Sequence, residues 1–188
     1  LSTFPTELIM AFLLAVVINL DSPMIKGFLV QMITHPTPPP RGFPVSEFEN
    51  RLARAQAMMA QAGLDALLLC SEPEVRYFTG FLTQFWQSPT RPWFVIVPKG
   101  AKPIAVIPEI GAACMGRTWI DDIRTWASPD MQDDGVSLLA ETLREVTPRG
   151  GKVGLPMGHE THLRMPLADY ERLRERLGEV DFSDATAI

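Results

Sequence analysis

The sequence predicts an α/β fold of three layers, α/β/α, with a mixed sheet of five or six strands between two sets of helices. Two observations predict it. Apolar runs 92–98 and 103–108 are joined by Lys99-Gly100-Ala101-Lys102, an ordinary hairpin loop, so the two runs pair antiparallel. Later runs of strand length come singly, between amphipathic stretches of helical length. A hairpin early and αβ units later imply a mixed sheet covered by helices on both faces. With 188 residues, 46% hydrophobic and 21% charged, the chain is long enough for one sizeable core and reads as globular.

The elements follow in order. Ser46-Glu47-Phe48-Glu49 reads as a capping box, with Ser46 and Glu49 each satisfying an amide of the other. Phe48, Leu52, Ala55, Met59 and Ala62 then recur at helical spacing, and Gly63 is placed to end a helix over 46–62. Leu64 to Cys70 has the length of a buried strand. Pro73 opens a single turn through Phe78 that stops at Gly80. After the hairpin, 110–119 is expected to be helical and 122–127 a strand. A helix is expected over 133–146, with Val136, Leu139 and Leu143 on one face. A strand at 152–155, a helix at 167–177 and a strand at 179–182 complete the chain.

Residues 1–42 read differently. Leu8 to Ile18 are eleven consecutive apolar residues flanked by Glu7 and Asp21, and the first basic residue is Lys26. These are the wrong flanks for a secretory signal. The run also falls short of the about 20 apolar residues of a membrane span. Five prolines lie between His35 and Pro44, which favours an extended boundary. Met24 and Met32 are both plausible starts. The expectation is an N-terminal extension outside the fold, a domain over 43–188, and unchanged stability when residues 1–31 are removed.

Composition narrows the function classes. Lys plus Arg number 17 and Asp plus Glu 22, a net charge of −5, which argues against a nucleic-acid partner. Cys70 and Cys114 cannot form a disulfide framework, and reduced thiols in the cytoplasm are expected. GxSxG and GxGxxG do not occur, so neither a nucleophile elbow nor a dinucleotide fingerprint is present.

Two constellations remain. His159-Glu160-Thr161-His162 is a His/carboxylate cluster. Its spacing differs from HExxH and no third ligand is evident, so a polar loop and no metal site is expected. Trp86, Arg91 and Trp93 lie in FWQSPTRPWF. Arginine recognises carboxylates bidentately and aromatic rings cover apolar ligand surface. Trp93 is expected in the core. Trp86 and Arg91 are candidate substrate-binding residues, with packing inside their own domain the competing reading. No catalytic residue is assigned.

Asp65-Ala66-Leu67-Leu68-Leu69, followed by Pro73-Glu74-Val75-Arg76-Tyr77-Phe78-Thr79-Gly80-Phe81, resembles the N-terminal domain of the creatinase, prolidase and aminopeptidase P family over about 43–188. That family carries patterns like GxDALLL and PxNxxYxTGF, and Glu74 or a neighbour departs from its usual Asn. The resemblance implies a ribonuclease H-like topology and a non-catalytic domain that serves dimerisation and shapes a substrate pocket. It also implies a C-terminal catalytic domain as partner, with two divalent metal ions acting on a small peptide or amide substrate. That domain is expected to begin after Asp184-Ala185-Thr186, so the chain up to Ile188 is expected to be inert alone. A stand-alone binding or interaction module of the same fold is the alternative.

Overall fold

The structure, a computed structural model, describes residues 42–88 and 91–188. The Leu8–Ile18 run and the expected N-terminal extension lie outside the described residues, apart from Gly42. Gly42–Ile188 forms a compact unit. Its elements are α1 (Val45–Ala62), β1 (Ala66–Leu69), α2 (Glu72–Thr79), a 3-10 turn (Gln84–Gln87), β2 (Phe94–Pro98) and β3 (Ile104–Pro108). Then come α3 (Ala112–Met115), β4 (Asp122–Trp126), α4 (Val136–Val146), β5 (Lys152–Leu155), α5 (Leu167–Leu177) and β6 (Asp181–Asp184).

The six strands form one mixed sheet in the order β4-β3-β2-β1-β5-β6. β2 is antiparallel to both β1 and β3, whereas β3–β4, β1–β5 and β5–β6 are parallel. The central strands are continuous apolar runs because both of their faces are covered. Leu67, Leu69, Val95, Val97, Ala105 and Ile107 face one core, shared with residues of α1, α2 and α3. Their neighbours Ala66, Leu68, Phe94, Ile96, Ile104 and Val106 face the other, shared with α4 and α5. The period of two along each strand therefore builds two cores, and the three layers are as the sequence predicts.

Several ends differ from expectation. Pro44, at φ −64° and ψ 155°, takes the N-cap position of α1, with no side-chain cap. Ser46 therefore falls inside the first turn, and the expected capping box does not form. Glu47 instead pairs with Arg51 at 2.9 Å. A reciprocal acid sits at the next helix, where the Glu74 carboxylate accepts from Ser71 N at 3.0 Å and Cys70 N at 3.4 Å. That extends the expected single turn to the eight-residue α2.

The expected helix over 110–119 shrinks to a 3-10 turn (Glu109–Gly111) and the single turn of α3. There Thr118 Oγ1 donates to Met115 O at 2.7 Å, and the buried Trp119 indole donates to Phe78 O at 2.7 Å. The chain turns inward where a helix would have carried it past α2. α4 starts at Val136 after its N-cap Gly135, and the Asp133 carboxylate accepts from the Ser137 amide and hydroxyl in its first turn. The last strand lies at 181–184, two residues later than expected at both ends.

Candidate functional site

The Thr79-Gly80-Phe81 motif is a physical device for leaving α2. Thr79 is buried; its hydroxyl donates to Val75 O at 2.6 Å and accepts from Phe81 N at 2.9 Å. Gly80 caps the helix at φ +74°, and a Cβ there would meet the Phe48 ring at 2.9 Å. Both facts require glycine. Phe81 is then driven fully into the core, and the chain emerges beyond it as the segment that leads to β2.

That segment carries the candidate residues. Thr83 Oγ1 accepts from Phe85 N at 3.3 Å and opens the 3-10 turn Gln84–Gln87. Phe85 stacks on Trp93 with ring centroids 6.0 Å apart. Trp93 is 0% exposed, as expected of a core residue. Trp86 is half-buried; its ring packs edge-on against Phe81 at 6.5 Å and lies 6.0 Å from Trp93. Its indole N–H is buried without a partner among the described residues. Trp86 also lines a cleft of about 490 Å³ with Glu72, Leu82, Thr83, Gln84 and Gln87. Arg91 is half-buried, with its guanidinium 5.8 Å from the Phe85 ring centre. It forms no ion pair with Glu109 or another acid among the described residues. Trp86 thus packs beside Trp93, and Arg91 lies near the Phe85 ring that stacks on Trp93.

The residue that sequence reasoning missed is Arg164. It is only 8% exposed, and its guanidinium lies 4.9 Å from the Trp86 ring centre. It donates to the carbonyls of Phe85 (3.3 Å), Ser88 and Arg91. Its own amide donates to Cys70 Sγ at 3.1 Å, just beyond β1. Burial pushes the Cys70 thiol up to about 12, so it stays protonated and is no nucleophile at neutral pH. The one available signal for Arg164 was a lone cation between Leu163 and Met165, and nothing in its spacing names its partners.

His159 and His162 lie exposed on the loop after β5. Among the described residues no three His, Cys, Asp or Glu side chains come together to hold a metal ion.

The family model for the creatinase/prolidase N-terminal domain matches residues 51–188. The chain belongs to that family. The match opens inside α1 of this creatinase/prolidase N-terminal domain and runs through all six strands and the Trp86 segment. A curated relative, the agropine synthesis cyclase of Rhizobium rhizogenes, is 32% identical over 151 residues, covering 75% of this chain and 35% of the relative. The chain therefore spans about a third of the length of that relative. Among solved structures, the prolidase of Thermococcus sibiricus aligns with a TM-score of 0.63 at 16% identity, over 78% of this chain and 36% of that one. The N-terminal domain of an X-Pro dipeptidase from Streptococcus pyogenes aligns with a TM-score of 0.57 at 14% identity, over 73% of this chain and 95% of that one. At these identities the solved structures speak for the fold.

Proposed function

We propose that this domain is the non-catalytic N-terminal part of a two-domain, metal-dependent hydrolase similar to aminopeptidase P and creatinase. The observation that carries this reading is a contrast in coverage. The chain spans 36% of a whole prolidase but 95% of a dipeptidase N-terminal domain solved by itself. In this reading the domain contributes to a homodimer and shapes a substrate pocket. Two divalent metal ions and the attack on a small peptide or amide belong to the C-terminal domain. Arg91 offers a planar fork for a substrate carboxylate, and Trp86 an apolar wall. A cytoplasmic setting agrees with two cysteines that are both free thiols. Among the described residues no helix is long and apolar enough to cross a membrane.

The test has two arms. The chain incubated with Mn²⁺, Co²⁺ or Zn²⁺ is expected to leave Xaa-Pro dipeptides intact, and metal-dependent turnover by it would refute the division of labour. In the two-domain parent, Arg91→Ala and Trp86→Ala are each expected to lower kcat/KM about tenfold, roughly 1.4 kcal/mol of transition-state binding. Values within about twofold of the parent would make the segment structural.

The likeness to a cyclase favours a second reading of the parent, in which it closes a ring rather than opening an amide. Product analysis separates them, since ring closure leaves no free amine and acid. A stand-alone binding module is the third possibility. A stop codon directly after Ile188 would favour it, and an Asp/His/Glu ligand series there would exclude it.

A further inference from the structure

We propose that Arg164 is a positioning residue that holds Trp86 and Arg91 in place from the opposite side of the sequence. Carbonyls of Phe85, Ser88 and Arg91, three residues apart, all accept from one guanidinium. Arginine suits this task because its five donors lie in one rigid plane. The cation is 8% exposed, yet it forms no ion pair with a carboxylate among the described residues. Its charge is met by three carbonyl dipoles and by the face of Trp86 at 4.9 Å.

The anchor behind the guanidinium is firm. Arg164 N is tied to Cys70 Sγ at 3.1 Å, and Met165 beside it is buried in the core shared with α4 and α5. The central strand β1 therefore fixes the base of Arg164, and Arg164 fixes the segment before β2. Pro89 and Pro92 supply no amide hydrogens, so a strand ladder cannot replace these bonds. Loss of the guanidinium would take that donor from the Ser88 and Arg91 carbonyls and leave Phe85 O with the Ser88 amide alone.

The inference rests on the pocket reading only for its use; the positioning itself is measurable on this chain without substrate. The Ser88 amide, which donates to Phe85 O at 3.0 Å, reports the segment by hydrogen exchange. In Arg164→Gln it is expected to exchange at least tenfold faster, while Leu68 in β1 and Ile96 in β2 keep their protection. Tryptophan emission is expected to shift to the red in Arg164→Gln, and the shift to vanish when Trp86→Phe is added. Arg164→Lys keeps the charge but not the planar fork, and is expected to fold and to speed Ser88 exchange at least threefold. That variant decides the matter if Arg164→Gln does not fold. Ser88 exchange within twofold of the parent chain in Arg164→Lys overturns the proposal, as does an equal rise at Ser88, Leu68 and Ile96. If Ser88 loosens as expected while Arg91→Ala and Trp86→Ala leave kcat/KM of the two-domain parent intact, positioning stands and the pocket reading alone fails.

Discussion

The two ends of β2 are held in opposite ways. At the hairpin end, three side chains share the closure. Gln56 Nε2 donates to Pro98 O at 2.8 Å and to Ala101 O at 2.9 Å. The Lys99 ammonium pairs with Asp65, and Lys99 N donates to Asp65 O at 2.9 Å. The Asp65 carboxylate also accepts from Lys152 N at 3.0 Å, tying the start of β1 to β5. At the other end, Arg164 gathers three carbonyls alone, with Trp93 and Phe81 as the apolar floor. The first end spreads its order over several contacts from three side chains. The second concentrates its order in a single cation over two buried aromatics.

The largest expected effect comes from removing that floor. Trp93 is 0% exposed and touches Phe81, Phe85 and Trp86 by its ring. Trp93→Ala is expected to cost about 3–5 kcal/mol, or a fall in Tm on the order of 10 °C. Urea denaturation measures it, and a loss below about 1 kcal/mol would mean that the core closes without Trp93.

The same comparison explains what could be read in advance. The hairpin was legible because its pattern is local: two apolar runs and a short glycine-containing loop. Trp93 was legible because it abuts a run of core residues. Arg164 was not, since its partners lie 73 to 79 positions away and are main-chain carbonyls, which carry no residue-type signature. The misplaced capping box at Ser46 has a different cause. Both Ser46 and Ser71 are followed three residues later by Glu, but Pro44 takes the N-cap of α1 and leaves Ser46 inside the helix, whereas Ser71 is itself the N-cap of α2.

A second, smaller effect is expected at the point where the segment begins. Gly80→Ala forces a left-handed backbone on an L residue and puts its Cβ 2.9 Å from the Phe48 ring. The expected cost is about 2 kcal/mol, read as a shift in urea midpoint at constant slope. An unchanged midpoint would show that the turn after Thr79 can adopt another conformation.

The hairpin end gives a pH-dependent contrast. The hydrogen bond from Lys99, and then that from Lys152 N, hold the Asp65 carboxyl below its ordinary value of 3.8. A lowered folded value means that this stabilisation is complete above about pH 4 and is lost as pH falls through the folded value. Asp65→Asn is therefore expected to cost about 1 kcal/mol at pH 7, a modest figure because the Lys99 ammonium is largely exposed. The difference between parent and variant should shrink as pH drops below 4. A difference that stays constant down to pH 2 would assign the loss to shape rather than charge.

The smallest expected effect is the most telling about the segment. Arg91 contributes to its own fold through its carbonyl, which Arg164 holds, and not through its guanidinium, whose aromatic contact is the Phe85 ring centre at 5.8 Å. Arg91→Ala keeps the carbonyl and removes only a half-buried cation that has no ion-pair partner among the described residues. Substitutions of that kind change stability by about 0.5 kcal/mol or less, which for a chain of this length is a Tm shift of about 2 °C at most. A near-silent result, set beside a large loss of kcat/KM in the two-domain parent, would separate what the side chain does for substrate from what the main chain does for the fold. A Tm loss equivalent to more than about 1 kcal/mol would mean that the guanidinium is bound within the domain, and Arg91 would then have no free fork to offer a carboxylate.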